Sequence, residues 1–323
     1  MTEEKVNGMR KPRHHEVRER SPGALQPDPS AIGGVQQPPF AQVPDPASLF
    51  DVRARRLAAL AEASELKPYL LFLSGLAGAQ HKVQTGLPLL ELPAAADIER
   101  ARLFGMPALD RGNCTTDATF ETTLSRLLAV AQAIEMPTAA ADALRRLTQA
   151  GATARDVMVH NVVADSIPMD TLVEHVFVAA ALQLHFARLA SRLDAKRLVP
   201  VGDGVCPCCG GPPVSSLVVG WPAAHGARYC ACSLCGTLWN YVRIRCTRCG
   251  STKGISYQEV AGGAGTVKAE TCDSCRSYVK VLYQDKEPSL EPVADDVASL
   301  GLDLLMRDGP YRRAAFNPFL LGY

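Results

Sequence analysis

The 323-residue chain has almost no cysteine outside one short region: ten of its eleven lie between Cys206 and Cys275, and only Cys114 stands elsewhere. That distribution divides the chain into two chemically different parts. Charge of one sign is also missing, with 34 Lys+Arg against 33 Asp+Glu, so no whole-chain field draws the protein to nucleic acid or to an anionic membrane. The most apolar stretches, Tyr69 to Ala79 and Val176 to Leu184, fall short of the ~20 residues that span a bilayer, and no membrane insertion is expected. No apolar run follows the basic residues Lys5, Arg10, Lys11, Arg13, Arg18 and Arg20. Neither a secretory nor a twin-arginine leader is therefore read, and a cytoplasmic location is expected. From Ser48 to Leu198 there is no acid pair, no G-x-S-x-G elbow and no phosphate-binding glycine loop, which leaves that span without a catalytic constellation.

What is present is enough apolar material, 47% of residues, for roughly two domains. Residues 1–46 mix charge with Pro and Gly and show no apolar period, so they are expected to be a disordered tail, dispensable for folding. From Ser48 the spacing of Phe50, Leu57, Leu60 and Ala61 predicts an amphipathic helix, and Pro68 can open a second over Tyr69 to Gln84. Further helices are expected near 120–134, 138–150 and 154–164. After Pro168, Leu172, Val176, Ala179, Leu182, Phe186, Leu189 and Leu193 mark one face of a helix whose other faces are also apolar. Such a helix belongs in the middle of a bundle. The expected fold class is thus multidomain α plus small β. An all-α helical domain over 47–200, with about five to seven helices, precedes two tandem rubredoxin- or zinc-ribbon-like modules over 204–242 and 243–287, and a C-terminal helix and tail fill 288–323. Gln80, His81 and His185 lie on or beside apolar faces and read as core or boundary groups, and Cys114 reads as a loop thiol.

The cysteines carry the chemistry. They form four C-x-x-C knuckles, Cys206/Cys209, Cys232/Cys235, Cys246/Cys249 and Cys272/Cys275, with 22 residues inside each half and 10 between the halves. The region is a tandem repeat with a 40-residue period. Paired knuckles in an intracellular chain point to metal rather than disulfides. Two knuckles supply four thiolates, a tetrahedral shell that holds an ion at ~2.3 Å, so two metal ions per chain are expected. The equal gaps pair Cys206, Cys209, Cys232 and Cys235 on one ion, and Cys246, Cys249, Cys272 and Cys275 on the other. A four-sulfur shell suits iron and zinc alike. Gly210, Gly236 and Gly250 follow three of the knuckles, as tight turns favour, and hairpins are expected over Val214–Val219, Leu238–Ile244 and Tyr278–Tyr283. Each module is too small for a self-sufficient core, so metal should supply its folding energy. Cys208 and Cys230 are left over and read as spectators.

Two rivals to a structural metal clip remain at this level: a rubredoxin-type iron electron carrier, and a nucleic-acid-binding ribbon. From 206 to 283 eight Lys+Arg stand against three acids, a formal +5. Two four-thiolate sites with divalent ions would contribute −4, so the cations are more simply read as offsetting the thiolates than as a phosphate track. Nucleic acid is not expected as a partner, although Trp239 and Tyr241 among the arginines keep that alternative in view.

The motifs Cys206-Pro-Cys-Cys-Gly210, Arg228-Tyr-Cys-Ala-Cys-Ser-Leu-Cys235, Trp239-Asn-Tyr-Val-Arg-Ile-Arg-Cys246 and Lys268-Ala-Glu-Thr-Cys272-Asp-Ser-Cys275 resemble those of the formate dehydrogenase accessory proteins, the FdhE family. The likeness continues through Tyr278 to Tyr283, Val293 to Leu300 and Asn317-Pro-Phe-Leu320, and is looser in the helical half. It implies a cytoplasmic, non-catalytic factor that acts on the catalytic subunit of membrane-bound formate dehydrogenase before export, with rubredoxin-like modules able to hold iron. All eight family cysteines are kept, whereas Cys208 and Cys230 are additions. A docking surface made of the ribbon pair and the flanking C-terminal segment is the expected point of contact, with the ribbons carrying most of it, since the apolar tail Phe316-Asn-Pro-Phe-Leu-Leu321 is more simply read as packing on its own helical domain.

Overall fold

Asp45 opens the first helix: its carboxylate accepts the Ala47 N–H at 3.0 Å and the Ser48 hydroxyl at 2.8 Å, and Pro46 follows where a missing N–H is harmless. This helix, α1 (Pro46–Ala61), begins the helical half of the computed structural model, which describes residues 38–113 and 116–320. It buries Phe50, Leu57 and Ala61, the face the sequence spacing predicts, and also Arg53. After it come α2 (Lys67–Gln84), α3 (Ala95–Leu103), α4 (Ala118–Ala131), α5 (Thr138–Gln149), α6 (Ala152–Val163) and α7 (Leu172–Ala190). The central position of α7 agrees with its all-round apolar character, every residue from Glu174 to Ala187 being buried. Its surroundings also explain its composition: the span Met169–Ala190 is long and apolar enough to cross a membrane, longer than the Val176–Leu184 run suggests, yet 78% of an apolar 18-residue stretch within it is buried inside the protein. α3 has no apolar period and no buried residue, which is why the sequence reading omits it.

The β part is one sheet, not two separate ribbons. Its strands are β1 (Ala41–Gln42), β2 (Pro213–Val218), β3 (Arg228–Cys232), β4 (Leu238–Asn240), β5 (Ile255–Gln258), β6 (Val267–Cys272), β7 (Ser277–Tyr283) and β8 (Arg312–Arg313). They run in the order β1-β4-β3-β2-β7-β6-β5, with β8 on β7. Each ribbon is a three-stranded antiparallel meander, and the two join through a parallel β2–β7 pair, Ser216↔Val281 to Val218↔Tyr283. The first ribbon is continuous with the helical core: Cys206, Val214, Cys235 and Trp239 belong to the same buried cluster as Phe120, Leu127 and Phe177. Gln183 on α7 donates to the Ser233 carbonyl at 2.8 Å and accepts from Arg53, which also pairs with Glu291 at 3.0 Å.

Two expectations change. Residues 38–45, placed by composition in the tail, are built in: the Tyr229 hydroxyl donates to the Pro39 carbonyl at 2.7 Å, the Phe40 carbonyl accepts from Asn240 N, and β1 pairs with β4. The rest of the expected tail, 1–37, lies outside the described residues. The single C-terminal helix is two, α8 (Pro292–Ala298) and α9 (Leu300–Arg307). The Lys280 ammonium bonds the Asp296 and Ser299 carbonyls at 2.7 and 3.2 Å, at the junction of the two helices, where the Ser299 carbonyl also accepts the Leu302 N–H at 3.0 Å. The apolar tail packs on the helical half, the reading the sequence favours: Asn317, Phe319 and Leu320 are buried, and Tyr69 on α2 donates to the Phe319 carbonyl at 2.6 Å.

Candidate metal centres

Each odd knuckle is the same turn, repeated 40 residues on. Cys206 N–H donates to the Gly211 carbonyl at 2.9 Å and Gly210 N–H to the Cys206 carbonyl at 2.9 Å; Cys246 N–H donates to Ser251 O at 2.9 Å and Gly250 N–H to Cys246 O at 3.0 Å. The turn needs a left-handed residue after the second cysteine. Gly210, Gly236 and Gly250 sit there at φ +78°, +74° and +70°, and Arg276 takes the same place in the fourth knuckle at +53°. A residue with a Cβ is disfavoured there by ~1–2 kcal/mol. The Arg276–Asp273 ion pair at 3.4 Å is exposed and contributes little. Arg276→Gly is thus expected to leave metal content unchanged and to alter stability by between zero and about +1 kcal/mol, since glycine also gains freedom in the unfolded chain. Urea midpoints with metal analysis would read this; loss of the second metal would show that Arg276 does more than fill the turn.

The four knuckles bring together the eight sulfurs in the two sets that the spacing predicts. In the first, Cys206 Sγ lies 3.6 Å from Cys235 Sγ and Cys209 Sγ 3.4 Å from Cys232 Sγ. In the second, Cys246–Cys275 and Cys249–Cys272 are 3.6 and 3.7 Å apart. Within each set all four sulfurs lie within 4.8 Å of one another. A tetrahedron with ~2.3 Å bonds has edges of about 3.8 Å, so either set could hold an iron or zinc ion. Backbone N–H groups of Leu234 and Cys235 point at Cys232 Sγ at 3.4 Å, and that of Arg248 at Cys246 Sγ at 3.4 Å. Such bonds favour the thiolate form.

Sequence reasoning missed the outer partners. Thr237 is 3.1 Å from Cys235 Sγ and Ser277 is 2.9 Å from Cys275 Sγ, hydroxyls two residues beyond the last cysteine of each set. The 40-residue repeat holds that signal, since 237 and 277 are equivalent positions. Burial opposes it, but the Ser277 hydroxyl and the neighbouring thiols bring Cys275 down to about 7. Arg111 comes from the helical half: its N–H donates to the Cys209 carbonyl at 2.9 Å, beside Leu109 N–H on Cys208 O at 2.7 Å. Its guanidinium pairs with Asp165 at 2.7 Å. Burial pulls the Arg111 pKa down, but the Asp165 pair and the nearby Cys209 and Cys232 sulfurs hold it above its ordinary value.

The two sets differ in access. Cys206, Cys209, Cys232 and Cys235 are all buried, whereas Cys249 is exposed and Cys275 partly so. Of the residues read as bystanders, Cys208 and Cys230 are fully buried, and burial pushes the Cys230 thiol up to about 11, leaving it protonated. Gln80 is a core group, donating to Ala180 O at 2.8 Å; His81 contacts Gln84; His185 packs edge-on to Phe120, and burial lowers it to about 4. Cys114 lies outside the described residues.

Comparison with known proteins places the chain. Three family models match in sequence order: "FdhE, N-terminal" over 38–203, "FdhE, central domain" over 205–243 and "FdhE, C-terminal domain" over 244–320. A Protein FdhE homolog of Rhizobium meliloti (strain 1021) is 51% identical over 301 residues, covering 93% of this chain and 98% of the relative. Protein FdhE of Escherichia coli O127:H6 is 36% identical over 276 residues, covering 84% and 88%. The crystal structure of the FdhE protein from Pseudomonas aeruginosa superposes with a TM-score of 0.78 at 30% identity, over 88% of this chain and 99% of that one. The chain belongs to the FdhE family of formate dehydrogenase accessory proteins.

Proposed function

We propose that this protein is a non-catalytic factor that binds the catalytic subunit of a membrane-bound formate dehydrogenase in the cytoplasm, before export. In this reading Cys206, Cys209, Cys232 and Cys235 ligate one metal ion, and Cys246, Cys249, Cys272 and Cys275 a second. Bound iron or zinc would supply a fixed four-sulfur crosslink in each ribbon. The observation that carries the reading is the pair of four-cysteine sets within one sheet in a chain of this family. Metal-clipped hairpins are ordered before the partner arrives, so less conformational entropy is lost on binding.

Affinity capture of the tagged protein from cells expressing formate dehydrogenase, with metal analysis of the eluate, tests this. The catalytic subunit should co-elute with protein carrying two metal ions. The Cys246→Ser/Cys249→Ser variant should lose the complex while keeping its helical circular dichroism. Full binding by such a variant, shown to lack that metal, would move the interface to the helices. The exposed Cys249 favours a second reading, an iron centre that exchanges electrons. A reversible one-electron potential with turnover would support it, and a colourless protein holding only zinc would remove it.

A further inference from the structure

The two ends of the sheet are finished differently. At one end β1 lies beyond β4. At the other β5 is the last strand among the described residues, with Ser256, Tyr257 and Gln258 exposed. The Gly254 carbonyl accepts the Asp273 N–H at 2.9 Å, which makes Gly254 and Asp273 a hydrogen-bonded pair. With the register Ile255↔Cys272 to Gln258↔Ala269, Ser256 and Gln258 continue that ladder, and Ile255 and Tyr257 turn their N–H and C=O groups outward. Natural edges are commonly guarded by Lys, Pro or a covering segment. The sequence of β5, Ile-Ser-Tyr-Gln, has neither Lys nor Pro.

The same end of the molecule leaves apolar side chains in water. Val242, Ile244, Tyr257 and Val260 are 60%, 58%, 40% and 44% exposed, whereas the strands of the first ribbon expose no large hydrophobic to that degree. The Tyr257 hydroxyl lies 3.4 Å from the Arg243 carbonyl, which sets the 242–244 segment beside β5. Charge is unequal here as well. Glu259, Glu270 and Asp273 are taken up by Lys268, Arg228 and Arg276, while Arg243, Arg248 and Lys253 have no acidic partner among the described residues. Those three cations exceed by one the −2 of a filled four-thiolate centre.

Resting on the function proposed above, we infer that β5 is the docking edge. An extended segment of the catalytic subunit adds alongside it as a further strand, with apolar side chains meeting Val242 and Ile244 and acidic ones meeting Arg243, Arg248 and Lys253. Backbone pairing gives affinity in this mode, and the flanking side chains give selectivity. The probe is the purified catalytic subunit, titrated against the intact, metal-loaded protein. Tyr257→Pro removes one outward N–H, and Tyr257→Phe controls for the lost hydroxyl bond to Glu270, 2.9 Å long. Tyr257→Pro should weaken binding roughly tenfold or more, and Tyr257→Phe by less than about twofold. Wild-type binding should also weaken as salt rises. If Tyr257→Pro changes metal content or melting, Val242→Asp/Ile244→Asp makes the same test without touching the ladder, and the same loss is expected. Wild-type affinity in a folded variant overturns the docking edge and leaves the function standing. A wild-type protein that does not bind the subunit overturns the function itself. A dimer that Tyr257→Pro splits would assign the edge to a second copy of this chain and overturn the inference.

Discussion

Stripping metal from the first centre is expected to unfold most of the protein, whereas stripping it from the second should melt only one end of the sheet. The chemistry of the two four-sulfur sets is the same, so the difference lies in what surrounds them. Cys206, Cys209, Cys232 and Cys235 share a continuous buried cluster with α2, α4 and α7. The Ser233 carbonyl takes a hydrogen bond from Gln183 at 2.8 Å, and Leu109 and Arg111 donate to the first knuckle's carbonyls at 2.7 and 2.9 Å. The metal contribution in comparable zinc peptides, ~10–16 kcal/mol, matches or exceeds the ~5–15 kcal/mol that holds a typical domain together. Cys209→Ser/Cys232→Ser should therefore fail to reach a native-like melt, and its helical circular dichroism should fall. The same change at Cys249 and Cys272 should leave the helices folded, because none of the four cysteines of the second set belongs to the cluster that fills the bundle. A chelator should act in two steps, removing first the ion held by the exposed Cys249. Equal loss of helix from both variants would mean that the ribbons transmit strain along the β2–β7 pair more strongly than burial suggests.

The grouping of the eight sulfurs into two sets was legible because it rests on spacing alone: a turn that presents two sulfurs needs a fixed number of residues, and a 40-residue repeat leaves one economical way to pair four turns. The core helix α7 was legible for a similar reason, its apolar residues falling at helical steps. What stayed hidden depends on a neighbour distant in sequence. β1 is a strand only because β4 offers an edge to Ala41 and Gln42, and two residues carry no pattern. The break at Ser299 lies where Lys280, a side chain from β7, bonds the carbonyls of Asp296 and Ser299. Charged residues read as surface by default, so nothing in the sequence alone shows that Arg228 on β3 reaches Glu270 on β6 at 2.9 Å, with both side chains buried, and so ties one ribbon to the other.

Lys280→Met should be the most damaging single substitution outside the cysteines. Lys280 lies in the middle of β7, opposite Ala269, with its side chain fully enclosed. Its ammonium is 2.5 Å from Asp303 Oδ2 and 3.5 Å from Asp296 Oδ1. Arg313 completes the group, 2.6 Å from each carboxylate, and Asn317 and the Tyr278 hydroxyl bond Asp296 and Asp303 at 2.8 and 2.9 Å. Two cations face two anions, and β7, α8, α9 and the tail meet on them. Methionine fills a similar volume but leaves two buried carboxylates with one guanidinium. Breaking a buried pair from one side costs about 3–5 kcal/mol. Burial alone would raise the Asp296 pKa, but Arg313 and Lys280 hold it below the ordinary range. A carboxyl depressed in the folded state contributes stability above its unfolded pKa, ~3.9, and loses that contribution as pH falls through the folded value. Without Lys280 the folded pKa rises, so the variant's deficit should be largest near neutrality and shrink on the way to about pH 4. Urea denaturation across that range measures both the size and the slope. Lys280→Met/Asp303→Asn, which restores one cation to one anion, should recover part of the loss. A deficit below about 1 kcal/mol at neutral pH, or one independent of pH, would show that Arg313 alone neutralises both aspartates.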